Sequence, residues 1–223
     1  MNIIYNEDCR TTLDRIEREG GSKLKFQYLF TSPPDFNELD MEPTQTQDYT
    51  DFLHSVFSLV PLNVAITLAF TDRKSDGGIV PKSTMAINLF QSLGWRLQSH
   101  KIWVKSTKID LFRLTYANVL TFMWGNARIR QYGFNEFKPD VWEDGWFRGA
   151  GGFTNSLPQK VAERCIRNFT APKDVVYNPF MGIGQTAIAC LATDRLYIGS
   201  ELSKETYDIS QTRIEEYRAS FTV

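Results

Sequence analysis

The chain has 223 residues, 42% of them hydrophobic and 23% charged, with a formal net charge of −1. That is enough apolar material for a packed core and excludes a disordered tail; a near-zero balance also argues against a generic polyanion binder, for which a basic domain is expected. No stretch approaches the roughly 18 uninterrupted apolar residues of a membrane span. The start lacks the basic and apolar regions of a signal peptide, and three widely spaced cysteines (Cys9, Cys165, Cys190) point to a reducing cytoplasm rather than a disulfide framework.

In chain order, Asn2 to Tyr5 is a short apolar start, and Cys9 to Glu19 has helical spacing through Leu13 and Ile16. Phe26 to Phe30 predicts a strand that stops at Thr31-Ser32-Pro33-Pro34, because consecutive prolines cannot continue a central strand. An acidic segment follows: Asp35, Glu38, Asp40, Glu42, Asp48 and Asp51, with no base between them. A helix is predicted from Tyr49 to Leu59 and a buried-type strand from Val64 to Phe70, ending in Thr71-Asp72-Arg73 and a Gly77-Gly78 loop. Met85 to Leu93 reads as a helix. Arg96 to Lys105 and Asn118 to Trp124 alternate as strands. The stretch from Trp95 to Arg130 carries Arg96, Lys101, Lys105, Lys108, Arg113, Arg128 and Arg130 against Asp110 alone, so charge is strongly uneven along a chain that is near neutral overall.

Asn126 to Phe153 is the least regular part, rich in glycine, aromatics and arginine. Beyond it come a helix from Gln159 to Phe169, a strand from Asp174 to Tyr177, a glycine loop and a helix from Thr186 to Ala192. A strand from Leu196 to Gly199 and an amphipathic helix from Ser203 to Arg218 close the chain. Strands alternating with helices predict a doubly wound, largely parallel sheet. With two histidines, His54 and His100, and no Cys-x-x-Cys pair, no metal site is expected.

Two segments carry chemistry. Val175-Val176-Tyr177-Asn178-Pro179-Phe180-Met181-Gly182-Ile183-Gly184-Gln185-Thr186 places glycines between a strand and a helix, where backbone can approach a ligand. Glu201 follows the next strand, the position from which an acid meets ribose hydroxyls in nucleotide-binding sheets. The second segment is Thr31-Ser32-Pro33-Pro34, at the carboxyl end of its strand, where ligands sit in open α/β sheets.

Together these segments resemble the amino-methylating DNA methyltransferases, in the permuted arrangement with the Pro-Pro loop before the glycine loop. The matching stretches are Ser32-Pro33-Pro34-Asp35, Asn178-Pro179-Phe180-Met181-Gly182-Ile183-Gly184-Gln185-Thr186 and Ile198-Gly199-Ser200-Glu201, with Tyr207 and Arg213 in the last helix. Asn6-Glu7-Asp8-Cys9 resembles the family's Gly-Asp-Cys segment. The resemblance implies an α/β fold with a Rossmann-like methyltransferase sheet, mostly parallel with an antiparallel strand and helices on both faces. It implies one domain over 1–223, with a short target-recognition insertion at 126–153. The implied cofactor is S-adenosyl-L-methionine, held by Asp8, Cys9, Thr31, Leu157, Pro158, Asn178, Pro179, Phe180, Gly182, Gly184, Gln185, Thr186, Glu201 and Leu202. The implied catalytic set is Ser32, Pro33 and Pro34, with Asp35 and Phe36 shaping the pocket. DNA is the implied partner, through Lys105, Arg113, Arg128, Arg130, Trp142, Trp146 and Arg148, and family members are often homodimers.

An exocyclic amine on a base ring is a poor nucleophile, because its lone pair is delocalised. A Ser32 oxygen and the Pro33 carbonyl accepting its two hydrogens would aim that lone pair at a sulfonium methyl, and such positioning supplies up to roughly 7–11 kcal/mol of barrier reduction. No cysteine follows a proline, which disfavours carbon-5 methylation of cytosine. In the family, Ser at the first position goes more often with cytosine N4 than with adenine N6, so N4 leads and N6 is the alternative. Asp35 stands where the family has an aromatic, and Phe36 or an aromatic from Trp142 to Trp146 is expected to take that ring's role. A methyltransferase-like binding module without activity is the other alternative, as is action on RNA or a small molecule. Asn178 replaces the usual Asp of the glycine loop.

Overall fold

In the computed structural model, the residues described are 2–19, 25–105, 114–124, 139–143 and 157–220. They form β1 (Asn2–Tyr5), α1 (Cys9–Arg18), β2 (Tyr28–Thr31), α2 (Thr46–Phe57), β3 (Ala65–Phe70), β4 (Arg73–Ser75), β5 (Gly78–Val80), α3 (Lys82–Ser92), β6 (Trp95–Val104), β7 (Tyr116–Trp124), β8 (Val141–Trp142), α4 (Gln159–Phe169), β9 (Val175–Asn178), α5 (Gln185–Ala192), β10 (Leu196–Ser200) and α6 (Lys204–Ala219). A single 3-10 turn, Phe36–Leu39, lies between β2 and α2. The described residues divide into two compact units: 2–19, 25–31 and 157–220 form the first, and 32–105, 114–124 and 139–143 the second.

The first unit carries four parallel strands in the order β1-β10-β9-β2. All four residues of β2 are buried, as are Val176, Tyr177 and Asn178 of β9. Continuous apolar strands of this kind belong to parallel sheets covered on both faces. Helix α4 buries Val161, Ala162, Cys165, Ile166 and Phe169 along one stripe, and α5 is buried over most of its length.

The second unit orders its strands β3-β7-β6-β8. Strand β7 runs antiparallel to both β3 and β6, whereas β8 is parallel to β6. Its interior is aromatic, with Phe90 stacked on Phe122 at 4.2 Å and Phe57 at 5.0 Å from Phe90. The parallel strands of the first unit and the antiparallel β7 of the second agree with the fold that the resemblance implies. A two-residue hairpin, β4–β5, turns at Asp76 and Gly77, both at positive φ (50° and 77°), the signature of a type I′ turn. The sequence reading has only a loop there. No helix among the described residues is long and apolar enough to cross a membrane.

Candidate functional site

In the first unit the loop after β9 is organised by Asn178, which is 3% exposed. Its carboxamide oxygen accepts from the Phe180 amide at 2.9 Å and from the Thr31 hydroxyl at 2.6 Å, while its amide nitrogen donates to Thr186 Oγ1 at 2.7 Å. A backbone N–H can only donate, so the Phe180 contact fixes which end of the carboxamide is oxygen. One side chain thus ties the end of β2, the loop and the first turn of α5. The amide that stands here in place of a carboxylate is accommodated by three bonds, one of them donated by its own nitrogen.

Gly184 sits at φ 83° before α5, and a Cβ there would press within 3.2–3.4 Å of Ser210 and Ile214 on α6. Arg213 of α6 donates to the Ile183 carbonyl and to Gln185 Oε1. Gly199 admits Met181 closely: a Cβ there would lie 2.2 Å from Met181 Cε. Glu201, just after β10, accepts the Gly182 amide on one oxygen at 2.8 Å and the Ser203 amide on the other at 2.9 Å. Asn6 donates to the Glu201 carbonyl at 2.9 Å. The glycine loop is therefore held from four sides by β2, α6, β10 and the segment before α1.

Of the other residues implied for the cofactor, Pro179 is buried, Phe180 half-buried and Leu202 72% exposed. Gln185 and Thr186 are buried, with Gln185 taken up by Arg213. Leu157 and Pro158 lead into α4, and the Pro158 carbonyl accepts the Val161 and Ala162 amides. Asp8 caps α1 by accepting the Arg10 amide at 2.8 Å, and its carboxylate also pairs with the Arg10 guanidinium. That hydrogen bond holds its pKa below the ordinary value, with burial opposing. Cys9 is buried, and burial with the Asp8 charge pushes its thiol up to about 12; it contributes packing rather than a reactive thiolate.

Ser32 follows Thr31 directly, is exposed, and opens the second unit's loop, with Pro33 buried behind it. The Tyr49 hydroxyl donates to the Pro34 carbonyl at 3.0 Å. Asp35 caps the 3-10 turn through the Phe36 amide, and Glu38 reciprocates at the Asp35 amide. The Asp35 carboxylate is held at 3.0 Å on one oxygen by Lys82 Nζ and at 3.0 Å on the other by Arg73 Nη1. Lys82 is buried, with Tyr49 and Phe70 rings near its ammonium. Burial alone would raise the Asp35 carboxyl, but Lys82, the Phe36 amide and Arg73 outweigh it and hold it below its ordinary value.

Phe36 is fully buried and packs on Tyr49 at 4.5 Å, so its ring faces the core instead of a pocket. Trp142 is likewise 1% exposed, its indole N–H donating to the Pro139 carbonyl at 2.8 Å, which corrects its reading as an accessible stacking ring. Lys105 donates to the Thr71 hydroxyl, and Lys101, buried, pairs with Asp140 at 2.7 Å. These two lysines of the basic stretch are thus engaged within their own unit. Arg113, Arg128, Arg130, Trp146 and Arg148 lie outside the described residues, as does most of 126–153. Among the described residues no group of three or more His, Cys, Asp or Glu is placed to hold a metal. Arg73 and Lys82 are absent from the sequence-derived set, since each reaches Asp35 from a distant part of the chain and no spacing marks them.

Residues 121–212 match the family model N6_N4_Mtase, described as DNA methylase, a span that takes in the glycine loop and Glu201 but not Ser32. The type II methyltransferase M.Cfr9I of Citrobacter freundii is 28% identical over 158 residues, covering 62% of this chain and 52% of that protein. The chain therefore spans about half the length of that curated relative. A Thermus thermophilus protein described as a candidate DNA modification methylase, complexed with S-adenosyl-L-methionine, superposes with a TM-score of 0.76 over 99% of this chain and 96% of its own, at 21% identity. The PvuII DNA methyltransferase, described as cytosine-N4-specific, gives 0.74 over 98% and 90%, at 17% identity. The chain shares the methyltransferase fold and resembles the amino-methylating DNA methyltransferases in sequence.

Proposed function

We propose that the chain transfers a methyl group from S-adenosylmethionine to an exocyclic amine of a DNA base, cytosine N4 first. The observation that carries this reading is covalent: Ser32, exposed, is one peptide bond from Thr31, whose hydroxyl is bonded to Asn178 in the glycine loop. The residue suited to hold an amine is thereby tied in sequence to the loop suited to hold a nucleoside.

The first unit's residues fit such a cofactor. Glu201 presents a carboxylate whose orientation is fixed by two loop amides, the acceptor that a ribose diol pairs with. A Cβ on Gly182 would meet no atom within 4 Å, so the loop surface is open beside that carboxylate, and half-buried Phe180 offers a ring to an adenine. When bound, the cofactor supplies a methyl group on a positively charged sulfur. Ser32 Oγ and the Pro33 carbonyl then accept the two amine hydrogens and turn the nitrogen lone pair out of conjugation. Pro33, buried, and the Tyr49–Pro34 hydrogen bond keep the loop rigid, which is where most of the rate gain arises. The base must leave its stack or already be single-stranded.

Ser at position 32 supports cytosine over adenine. The test is incubation with labelled cofactor and unmodified DNA, with the methylated nucleoside identified by mass spectrometry. N4-methylcytosine supports the reading, N6-methyladenine reassigns the base, and cofactor binding without any methylated nucleoside refutes it.

A further inference from the structure

We propose that the target base stacks on the guanidinium of Arg73, and that Asp35 is the positioning residue that holds Arg73 in place; this rests on the function proposed above. A base withdrawn from its helix needs a flat surface to replace the stacking it loses, and proteins provide either an aromatic ring or the plane of an arginine. Among the described residues, the two aromatic rings of the Ser32 loop and the helix packed against it are not presented to solvent. Phe36 and Tyr49 are 0% and 1% exposed and pack on each other. Trp142, the described aromatic of the arginine-rich segment, is equally buried.

Arg73, by contrast, has a side chain 38% exposed and lines a surface cleft of about 360 Å³ with Asn37, Asp40, Met41, Glu42 and Pro43. That volume lies in the range of small-molecule sites. Its backbone belongs to the β4–β5 hairpin, with Arg73 paired to Val80. Its Nη1 is fastened to one Asp35 oxygen while Lys82, almost wholly buried, fastens the other. The carboxylate therefore cannot swing, and a planar fork held at one end loses little further freedom on forming a stack. The charge around the cleft distinguishes a base from a phosphate. Asp35, Asp40 and Glu42 outnumber Arg73 and Lys82, so a phosphate is repelled. A neutral ring is not, and the two rim carboxylates can accept from an amino-bearing base edge.

The test compares wild type with Arg73→Ala, Arg73→Lys, Asp35→Asn and the Asp35→Asn/Arg73→Ala double variant, each confirmed folded by circular dichroism. Methyl transfer to unmodified DNA is measured across salt concentrations, and cofactor affinity by calorimetry. A stack requires that Ala and Lys at position 73 both lower kcat/KM for DNA about tenfold or more, with cofactor affinity and salt slope unchanged. Asp35→Asn should lower it too, but add nothing to Arg73→Ala, because it acts through Arg73. The inference is overturned if Arg73→Ala transfers at the wild-type rate. It is equally overturned if Lys restores activity while Ala lowers the salt slope by about one, which marks a phosphate contact. A wild type that binds cofactor but transfers no methyl overturns this inference and the proposed function together, whereas an active wild type with an indifferent Arg73 overturns this inference alone.

Discussion

Thr31 donates its hydroxyl hydrogen to the carboxamide oxygen of Asn178 across 2.6 Å in the buried interior of the first unit, joining two residues 147 positions apart. The bond connects the end of β2 to the glycine loop, and the same carboxamide oxygen also accepts the Phe180 amide.

Asn178→Ala should therefore destabilise the protein by about 2–4 kcal/mol, because it orphans the Phe180 N–H together with the Thr31 and Thr186 hydroxyls. Asn178→Asp should cost about 1 kcal/mol or less at neutral pH, since all three neighbours can donate to a carboxylate once the Thr186 hydroxyl rotates. Urea titrations of the two variants check this; equal midpoints for Ala and wild type would refute the role assigned to Asn178.

Removing the charge partner of Lys82 should be more damaging than removing Lys82. Asp35→Ala leaves a buried ammonium without its carboxylate and is expected to cost about 3 kcal/mol, whereas Lys82→Met keeps the volume and removes the charge. The Asp35→Ala/Lys82→Met double variant should be more stable than Asp35→Ala alone. Additive losses in that cycle would show that the two charges are not coupled.

Stability should form a plateau in pH with a falling arm at each end. Asp35 and Asp8 titrate below their ordinary values in the folded chain. Their contribution is present above the ordinary carboxylate range near 3.9 and is lost as pH falls through the lowered folded values. Cys9 behaves in the opposite sense: with its thiol pushed up to about 12, its contribution is complete below 9.0 and is lost as pH rises toward 12. Urea midpoints from pH 3 to about 11 should show both arms, and Cys9→Ser should make the alkaline one shallower, leaving the share that buried Cys190, Tyr49 and Tyr177 contribute in the same sense. An alkaline arm unchanged in that variant contradicts the assignment to Cys9.

Glu201→Ala should weaken cofactor binding about tenfold or more, since it removes both the acceptor proposed for the ribose and the carboxylate that holds the Gly182 and Ser203 amides. Glu201→Gln keeps one acceptor oxygen and should fall between. Calorimetric titration with the cofactor decides; unchanged affinity in Glu201→Ala would remove the site from this loop.

The sequence exposes the strand–glycine loop–helix at β9 and α5, because apolar runs, Gly182 and Gly184 have local consequences. Ser32-Pro33-Pro34 is legible for the same reason: prolines end strands wherever they fall. The β4–β5 hairpin carries a legible signal, Asp76-Gly77, but its flanks are short and polar, so it reads as a loop. The Asp35–Lys82–Arg73 cluster carries none, since nothing in the chain order foretells that residues 38 and 47 positions on converge on one carboxylate. Trp142 misleads because an aromatic among arginines looks exposed, whereas its pairing in β8 turns the ring inward.

The most direct measurement compares wild type and Ser32→Ala, incubated with methyl-labelled S-adenosylmethionine and unmodified DNA, digested to nucleosides and analysed by mass spectrometry alongside calorimetric cofactor binding. Labelled N4-methylcytosine in the wild type, none in Ser32→Ala, and equal cofactor affinity in both is the result expected. Cofactor binding with no labelled nucleoside in the wild type, or full transfer by Ser32→Ala, would contradict it.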